Sequence, residues 1–254
     1  MNVNDHVKIA QRFERAHKSY EEHAVIQKYI CEKLLEYSQQ FNVPKQQSRI
    51  FEIGCGTGNL TRLMWQHYSF DEYILNDLYD AVKTNFLENT SSQIEWKIGN
   101  IEHLEFPQLI NAIVSSSALQ WVKHLNRVFE KTHQVLLPQG YFMFSTFGTQ
   151  NLTEIKKLTG QGLQYLTHQE LEQNLINTGF EVILIQEDII KLEFEHPREV
   201  LAHLKATGVT ATSNHFRWTK LSLMEFDQNY QQFQLENLKY SLTYHPIYCI
   251  ARSI

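Results

Sequence analysis

Short apolar runs alternate with longer stretches of helical period along most of this chain. Ile50, Phe51 and Ile53 form a compact apolar run that stops at Gly54. Glu72–Asn76 is a second run, Ile94–Ile98 alternates apolar and polar residues, and Ile110–Ser115 and Tyr141–Phe147 supply a fourth and a fifth. Runs of this length bounded by glycine, asparagine and serine predict strands. Between them lie helical periods. The first follows Asn59, a good N-cap, and carries Leu60, Leu63 and Met64 toward Tyr68; the others run from Tyr79 to about Glu88 and from Leu125 to Leu137, where Pro138 and Gly140 should break the helix. Such alternation requires a mostly parallel sheet with helices on both faces, and in such sheets ligands gather beyond the carboxyl ends of the strands.

The flanks follow other patterns. Asn4 to Phe41 is glycine-free, and Phe13, Ala16, Tyr20, Ala24 and Gln27 recur at steps of three or four on one helical face. Tyr20 and Gln27 each need a hydrogen-bond partner if buried, so this helix is expected to close over a ligand. After the fifth strand, Thr167–Glu170 has capping-box form and opens a helix that should stop at Gly179. Phe180–Glu195 then reads as one long strand, Pro197–Ala206 as a short helix ended by Gly208, Lys220–Gln234 as a second helix and Lys239–Ala251 as the closing strand. The expectation is one domain over 1–254, with 196–237 as a helical insert over the ligand edge.

Composition narrows the function classes. At 254 residues and 43% hydrophobic content the chain can bury a substantial core. A net charge of −5 without a long basic run argues against nucleic acid as a partner. Met1–Gln11 lacks a signal-peptide core, and no stretch reaches the ~18 apolar residues of a membrane span, so a cytoplasmic protein without membrane attachment is expected, and a monomer. Cys31, Cys55 and Cys249 are far apart and show no metal-ligand or disulfide spacing. One local exception to the acidic balance runs from Pro197 to Lys220, where Arg198, Lys205, Arg217 and Lys220 face a single acid, Glu199.

Candidate chemistry concentrates at the first strand's end. In Glu52-Ile53-Gly54-Cys55-Gly56-Thr57-Gly58 the glycines permit a tight turn and close approach of a ligand, and amides at the following helix start favour a negative group. The third glycine comes one residue sooner than in the dinucleotide fingerprint. Asp77 ends the second strand 19 residues past Gly58 and can accept ribose hydroxyls; its other possible duty is capping the next helix. Asn100, after the third strand, can accept a hydrogen bond from an adenine amine or can be a simple turn residue. Ser115 to Trp121 follows the fourth strand.

E-x-G-x-G-x-G resembles motif I of the class I S-adenosylmethionine-dependent methyltransferases. Ser115-Ser116-Ser117-Ala118-Leu119-Gln120-Trp121 is similar to the S-N-x-A-L-Q-W element of the malonyl-acyl-carrier-protein O-methyltransferases of biotin synthesis, the BioC type. Phe13, Ala16, Tyr20, Ala24 and Gln27, the strand-five exit from Phe144 to Gly148 with Leu152 and Glu154, and Leu204-Lys205-Ala206-Thr207-Gly208 match the same family's patterns. The family usually has Asp at Asn100, Asn at Ser116 and Gly at Gln139. The resemblance implies a Rossmann-like seven-stranded sheet and S-adenosyl-L-methionine as cofactor, with S-adenosyl-L-homocysteine as product. The implied cofactor contacts are Tyr20, Gln27, Glu52, Gly54, Gly56, Gly58, Asp77, Asn100, Ser115 and Ser116. Methylation of the free carboxylate of malonyl-acyl-carrier protein, or of a malonyl thioester, is the implied reaction, with Tyr20 and Arg217 orienting the carboxylate and Gln120 and Trp121 shaping the wall. A carboxylate is already ionised at neutral pH, so in-line placement and exclusion of water carry the catalysis and no base is required. Methylation of another small acid or quinone precursor, and cofactor binding without turnover, are the alternatives.

Overall fold

The computed structural model describes residues 24–86, 93–207 and 219–254. Helix α1 (Val25–Gln40) leads into β1 (Gln46–Ile53), α2 (Asn59–His67), β2 (Ser69–Asp77), a 3-10 segment at Asp80–Phe86, β3 (Ile94–Ile98) and β4 (Ile110–Ser116). A 3-10 turn at Leu119–Trp121 is followed by α3 (Leu125–Val135), β5 (Leu136–Phe147), α4 (Thr153–Thr159), α5 (His168–Asn177), β6 (Phe180–Glu187) and β7 (Ile190–Phe194). Helices α6 (Pro197–Ala206) and α7 (Lys220–Asn229), a 3-10 turn at Tyr230–Phe233, β8 (Tyr240–Tyr244) and β9 (Pro246–Ser253) complete the described chain. Phe13, Ala16, Tyr20, Gly208 and Arg217 lie outside the described residues.

The main sheet has seven strands in the order β3-β2-β1-β4-β5-β9-β6, parallel throughout except for β9, which runs antiparallel to both neighbours. Its apolar runs are continuous because both faces are covered. Along β1, Ile50 joins one core layer with α1 and α2, whereas Phe51 and Ile53 join the other with Val128 and Phe129 of α3 and Leu171 and Leu175 of α5. Each fully buried side chain of this size contributes about 1.5–3 kcal/mol. Strand order reverses between β1 and β4, which places the ligand crevice there. The registers bring the relevant strand ends level, since Ile53 pairs with Asn76 on one side and Ser115 on the other, and Asp77 pairs with Ile98.

Three expectations from the apolar pattern need correction. The run from Phe180 to Glu195 is two strands: β6 belongs to the main sheet, while β7 pairs with β8 in a separate two-stranded sheet. The closing run likewise divides into β8 and β9 at His245, whose Nδ1 accepts from the Gln150 amide at 3.1 Å and whose Nε2 meets Glu187 at 3.1 Å. No glycine marks either crossing, so periodicity alone joined the pieces. Finally, Pro138 does not end a helix: β5 already starts at Leu136 and passes through Pro138 with an irregular pairing to β4. Gln139 sits in this irregularity at φ 65, a left-handed conformation. A glycine would adopt it without a Cβ penalty.

Helices α6 and α7, the following 3-10 turn, β7 and β8 share apolar residues such as Val200, Leu204, Phe226, Tyr230 and Leu242 with the main core. Glu154, almost fully buried on α4, fastens this unit: its carboxylate accepts from the Thr243 amide at 3.0 Å, the Thr243 hydroxyl at 2.6 Å and the Ser241 hydroxyl at 3.3 Å. The ends of α6 and β8, Thr207 and Tyr244, are thereby held near the ligand edge of the sheet.

Candidate functional site

The glycine loop is tied from both sides. Gly54 and Cys55 donate their amides to Asn76 O at 2.9 Å, and Gly56 donates to Asp77 Oδ2 at 2.8 Å. On the outer side the Gly56 carbonyl accepts from Asn85 and the Thr57 carbonyl from Arg62. Most loop amides are therefore committed, and a ligand carboxylate must be met by the unpaired amides that open α2. Asn59 is the first residue of that helix; the N-cap is Gly58, at φ 84, so Asn59 does not cap it as expected. The glycines have different duties. A Cβ on Gly54 would collide with Ala118 and one on Gly58 would come within 2.8 Å of the Phe86 ring, but one on Gly56 would meet nothing within 4 Å. Gly56 is the glycine whose missing side chain leaves room for a ligand, and Gly58 does not line the cleft.

That cleft has an internal space of about 1160 Å³ including its open mouth, and Gln27, Glu52, Gly54, Gly56, Asp77, Asn100, Ser116 and Trp121 all line it. Eight expected site residues from five segments thus converge. Asp77 accepts from the amides of Gly56 and Leu78, so it braces the loop and caps the following turn at once. Burial nevertheless pushes its carboxyl up to about 6, with the backbone bonds pulling the other way. Glu52 is 1% exposed and accepts from the Tyr73 hydroxyl at 2.6 Å. Burial pushes it up to about 7; the Tyr73 bond opposes this and the nearby Asp77 charge adds to it. Two buried carboxyls held above their usual range, in a cleft with no lysine, arginine or histidine among its described lining residues, favour a positively charged ligand. Cys31 donates to Ser116 Oγ at 3.3 Å, and burial raises its thiol to about 12, so it is no nucleophile.

Other expected residues are placed differently. Ser115 is fully buried and its hydroxyl donates to Ile53 O at 2.9 Å, which ties β4 to β1 and leaves it outside the cleft lining. Asn100 lines the cleft, but its side-chain oxygen already accepts from the Glu102 amide at 2.9 Å, so only its remaining lone pair could meet an adenine amine. Gln120 faces away from the main cleft into a neighbouring recess of about 420 Å³. Gln27, Ser117 and Trp121 line both spaces and so form the seam between them. At or beside this seam Gln27 Oε1, Ser117 Oγ and Gln120 Oε1 are buried without a hydrogen-bond partner among the described residues. Buried polar atoms are seldom left so, and three together mark a place where a ligand's polar groups belong. Ser117 also holds φ 53, a conformation that costs a non-glycine residue about 1–3 kcal/mol and that clusters at functional sites. Among the described residues lining the two spaces there is no histidine, lysine or arginine.

In the sequence, Ser117 and Thr207 were named only inside their motifs, without a role of their own, and the recess residues Asn151, Leu163, Tyr165 and Tyr244 were passed over. Ser117 carried a signal in strand parity: with Ser115 turned inward, the residues after it leave the strand at its ligand end. The recess residues carried none, because they come from separate segments.

Comparison with known proteins agrees with this geometry. A family profile described as a methyltransferase domain matches residues 20–185. The chain is 48% identical over 99% of its length to a malonyl-[acyl-carrier protein] O-methyltransferase of Acinetobacter baylyi, covering 98% of that protein. A protein of the same name from Bacteroides thetaiotaomicron is 37% identical, over 96% of this chain and 97% of that one. Among solved structures, a methyltransferase-like protein of Bacillus halodurans superposes with a TM-score of 0.64 at 14% identity, covering 87% of this chain and 98% of that one, a likeness of fold.

Proposed function

The chain belongs to the family of malonyl-[acyl-carrier protein] O-methyltransferases, and from that premise we propose that it moves a methyl group from S-adenosyl-L-methionine to the free carboxylate of malonyl-acyl-carrier protein. The product would be a malonyl methyl ester, as expected for an early step of biotin synthesis. The observation that carries this reading is the pair of adjoining spaces that share Gln27, Ser117 and Trp121. One is built for a nucleoside and the other meets it at a seam of unpartnered polar atoms.

The residues present fit the cofactor. Gly56 leaves open room, Asp77 keeps spare lone pairs for ribose hydroxyls, and the start of α2 offers amides for a carboxylate. Glu52 would hold the positively charged end while Asp77 takes the ribose hydroxyls, and both carboxylates, once so engaged, stay ionised at neutral pH. The cofactor supplies an electrophilic methyl group on a sulfonium. The protein's part is to bind, orient and dry the reactants. Trp121 and Phe147 line the recess and lower its polarity, which strips water from a carboxylate nucleophile. The described lining holds no histidine or lysine, and a carboxylate needs none to lose its proton. Tyr20 and Arg217, expected to orient that carboxylate, remain candidates outside the described residues.

For the carrier protein we propose an approach over α6 and α7. Lys205 and Lys220 are exposed there and make no ion pair among the described residues, whereas Arg198 is paired with Asp227 at 2.7 Å, which weakens its share in docking. Mass spectrometry of malonyl-carrier protein after incubation with the cofactor tests the function. A gain of one methyl group that an esterase removes supports it, and an unchanged mass, with the cofactor shown to bind, refutes it.

A further inference from the structure

The recess beside the cofactor cleft has more hydrogen-bonding structure than a packing gap requires. Asn151, only 4% exposed, accepts the His245 amide on Oδ1 at 3.2 Å. A backbone amide can only donate, so the side-chain oxygen must face it and the side-chain amine must face the other way. That amine donates to Tyr165 Oη at 3.0 Å. Tyr165 therefore receives a hydrogen bond from Asn151, and its own hydrogen is left to donate elsewhere. Burial raises the phenol above its ordinary range, so it keeps that hydrogen at neutral pH.

The other hydroxyls of the recess are engaged. Thr207 donates to His203 O at 2.9 Å, and Tyr244 Oη lies 2.8 Å from His203 Nε2. Ser117, at the seam, differs: its buried hydroxyl has no partner among the described residues, and Gln120 Nε2 donates to its carbonyl at 2.6 Å, which helps to hold it in its left-handed conformation. The recess thus offers two hydroxyl hydrogens, one inside and one at the boundary with the cofactor cleft.

We propose that this recess seats the malonyl thioester, with Tyr165 donating to the thioester carbonyl oxygen and Ser117 donating to the carboxylate at the seam. This assignment rests on the methyl-transfer reading above. A malonyl thioester carries one carbonyl and one carboxylate separated by a single methylene, so one donor inside the recess and one at its seam can hold the two ends of a short unit. Fixing the carbonyl orients the carboxylate toward the neighbouring cleft. The carbonyl interaction is one of positioning; the bond-making atom is the carboxylate oxygen.

The test uses the whole protein and two short substrates, a malonyl thioester of N-acetylcysteamine and its carboxyethyl thioether, which keeps the carboxylate but lacks the carbonyl. Wild-type protein should prefer the thioester roughly tenfold in kcat/KM, the size of one well-made hydrogen bond. Tyr165→Phe should lose roughly that factor on the thioester alone, so that the preference falls toward one, with cofactor affinity little changed and the thermal midpoint lowered, since the Asn151 amine loses its partner. Ser117→Ala should slow both substrates by similar factors, since both carry the carboxylate. A Tyr165→Phe protein that keeps the full preference for the thioester overturns the carbonyl assignment, and unchanged kcat/KM in Ser117→Ala overturns the carboxylate assignment. If the wild-type protein transfers methyl to neither substrate nor to malonyl-carrier protein, the functional reading itself fails and this one with it.

Discussion

Replacing Asp77 by Asn should separate cofactor binding from folding, because the two respond in opposite directions. Asp77 is 9% exposed, and its carboxyl is pushed from 3.8 to about 6 even with the amides of Gly56 and Leu78 bonded to it. At ~1.36 kcal/mol for each pH unit, its ionised form is less favourable in the ligand-free protein than in water by about 3 kcal/mol. The folded-state value is raised, so the stability it contributes is full below about 3.8 and is lost as pH rises through about 6. A neutral amide of the same size escapes that loss. It also turns an amine toward the Gly56 amide and gives up that bond, worth roughly 1.5–3 kcal/mol. Near pH 7.5 the ligand-free variant should therefore unfold at about the same denaturant concentration as the wild type, or slightly higher. Cofactor affinity should fall by roughly 10- to 100-fold, the loss of one charge-assisted hydrogen bond to a ribose hydroxyl. Calorimetric titration with S-adenosyl-L-methionine, run beside a urea melt, reads both quantities. Unchanged affinity would remove Asp77 from the ribose site, and a large loss of stability with intact affinity would leave it only the turn-capping role. Wild-type affinity should also rise as pH goes from about 5.5 to 7.5 and then level off, since binding a cation must first release protons from Asp77 and Glu52, held at about 6 and about 7.

Three further outcomes follow from other parts of the structure. Gly56→Ala should weaken cofactor binding while costing the ligand-free fold only about 1–2 kcal/mol, because its Cβ meets open cleft rather than protein; an equal loss of affinity and stability in a thermal-shift series would contradict this. Gln139→Gly should raise the thermal midpoint by roughly 2 °C, as relief of the left-handed strain at φ 65 exceeds the added freedom of the unfolded chain; a fall in midpoint would mean that Gln139 makes a compensating contact. Reversing Lys205 and Lys220 to Glu should raise KM for malonyl-carrier protein and flatten its salt dependence without affecting a short malonyl thioester. Equal losses on both substrates would place these residues in support of the fold.

The sheet and most of the residues that line the main cleft were legible in the sequence because they are local. Residues within one strand–turn–helix unit declare their roles through spacing, and β3 was found at its true bounds, Ile94–Ile98. Asp77 was legible for the same reason, since one helical crossover sets its distance from the glycine loop. The neighbouring recess was not. Asn151, Tyr165, Thr207 and Tyr244 come from four segments brought together by the β7–β8 unit, and the two sheet crossings that build this unit have no glycine to announce them. Ser115 shows what the pattern leaves open: an apolar-polar junction marks where a strand ends but not which of two adjacent serines turns inward, and here Ser115 donates to Ile53 O while Ser116 lines the cleft.

The claim at the centre of this account is that the nucleophile arrives already ionised and needs no base, in a site whose described lining holds no histidine or lysine. Single-turnover methyl transfer from saturating S-adenosyl-L-methionine to malonyl-carrier protein, followed between roughly pH 6 and 8, addresses it directly. Saturation holds Glu52 and Asp77 in their cofactor-paired, ionised state, and a carboxylate with an ordinary value near 4 remains charged throughout, so the rate should stay nearly constant. A rate that climbs about tenfold for each pH unit would show that a group of the protein must first lose a proton, and the mechanism would have to be rebuilt around that base.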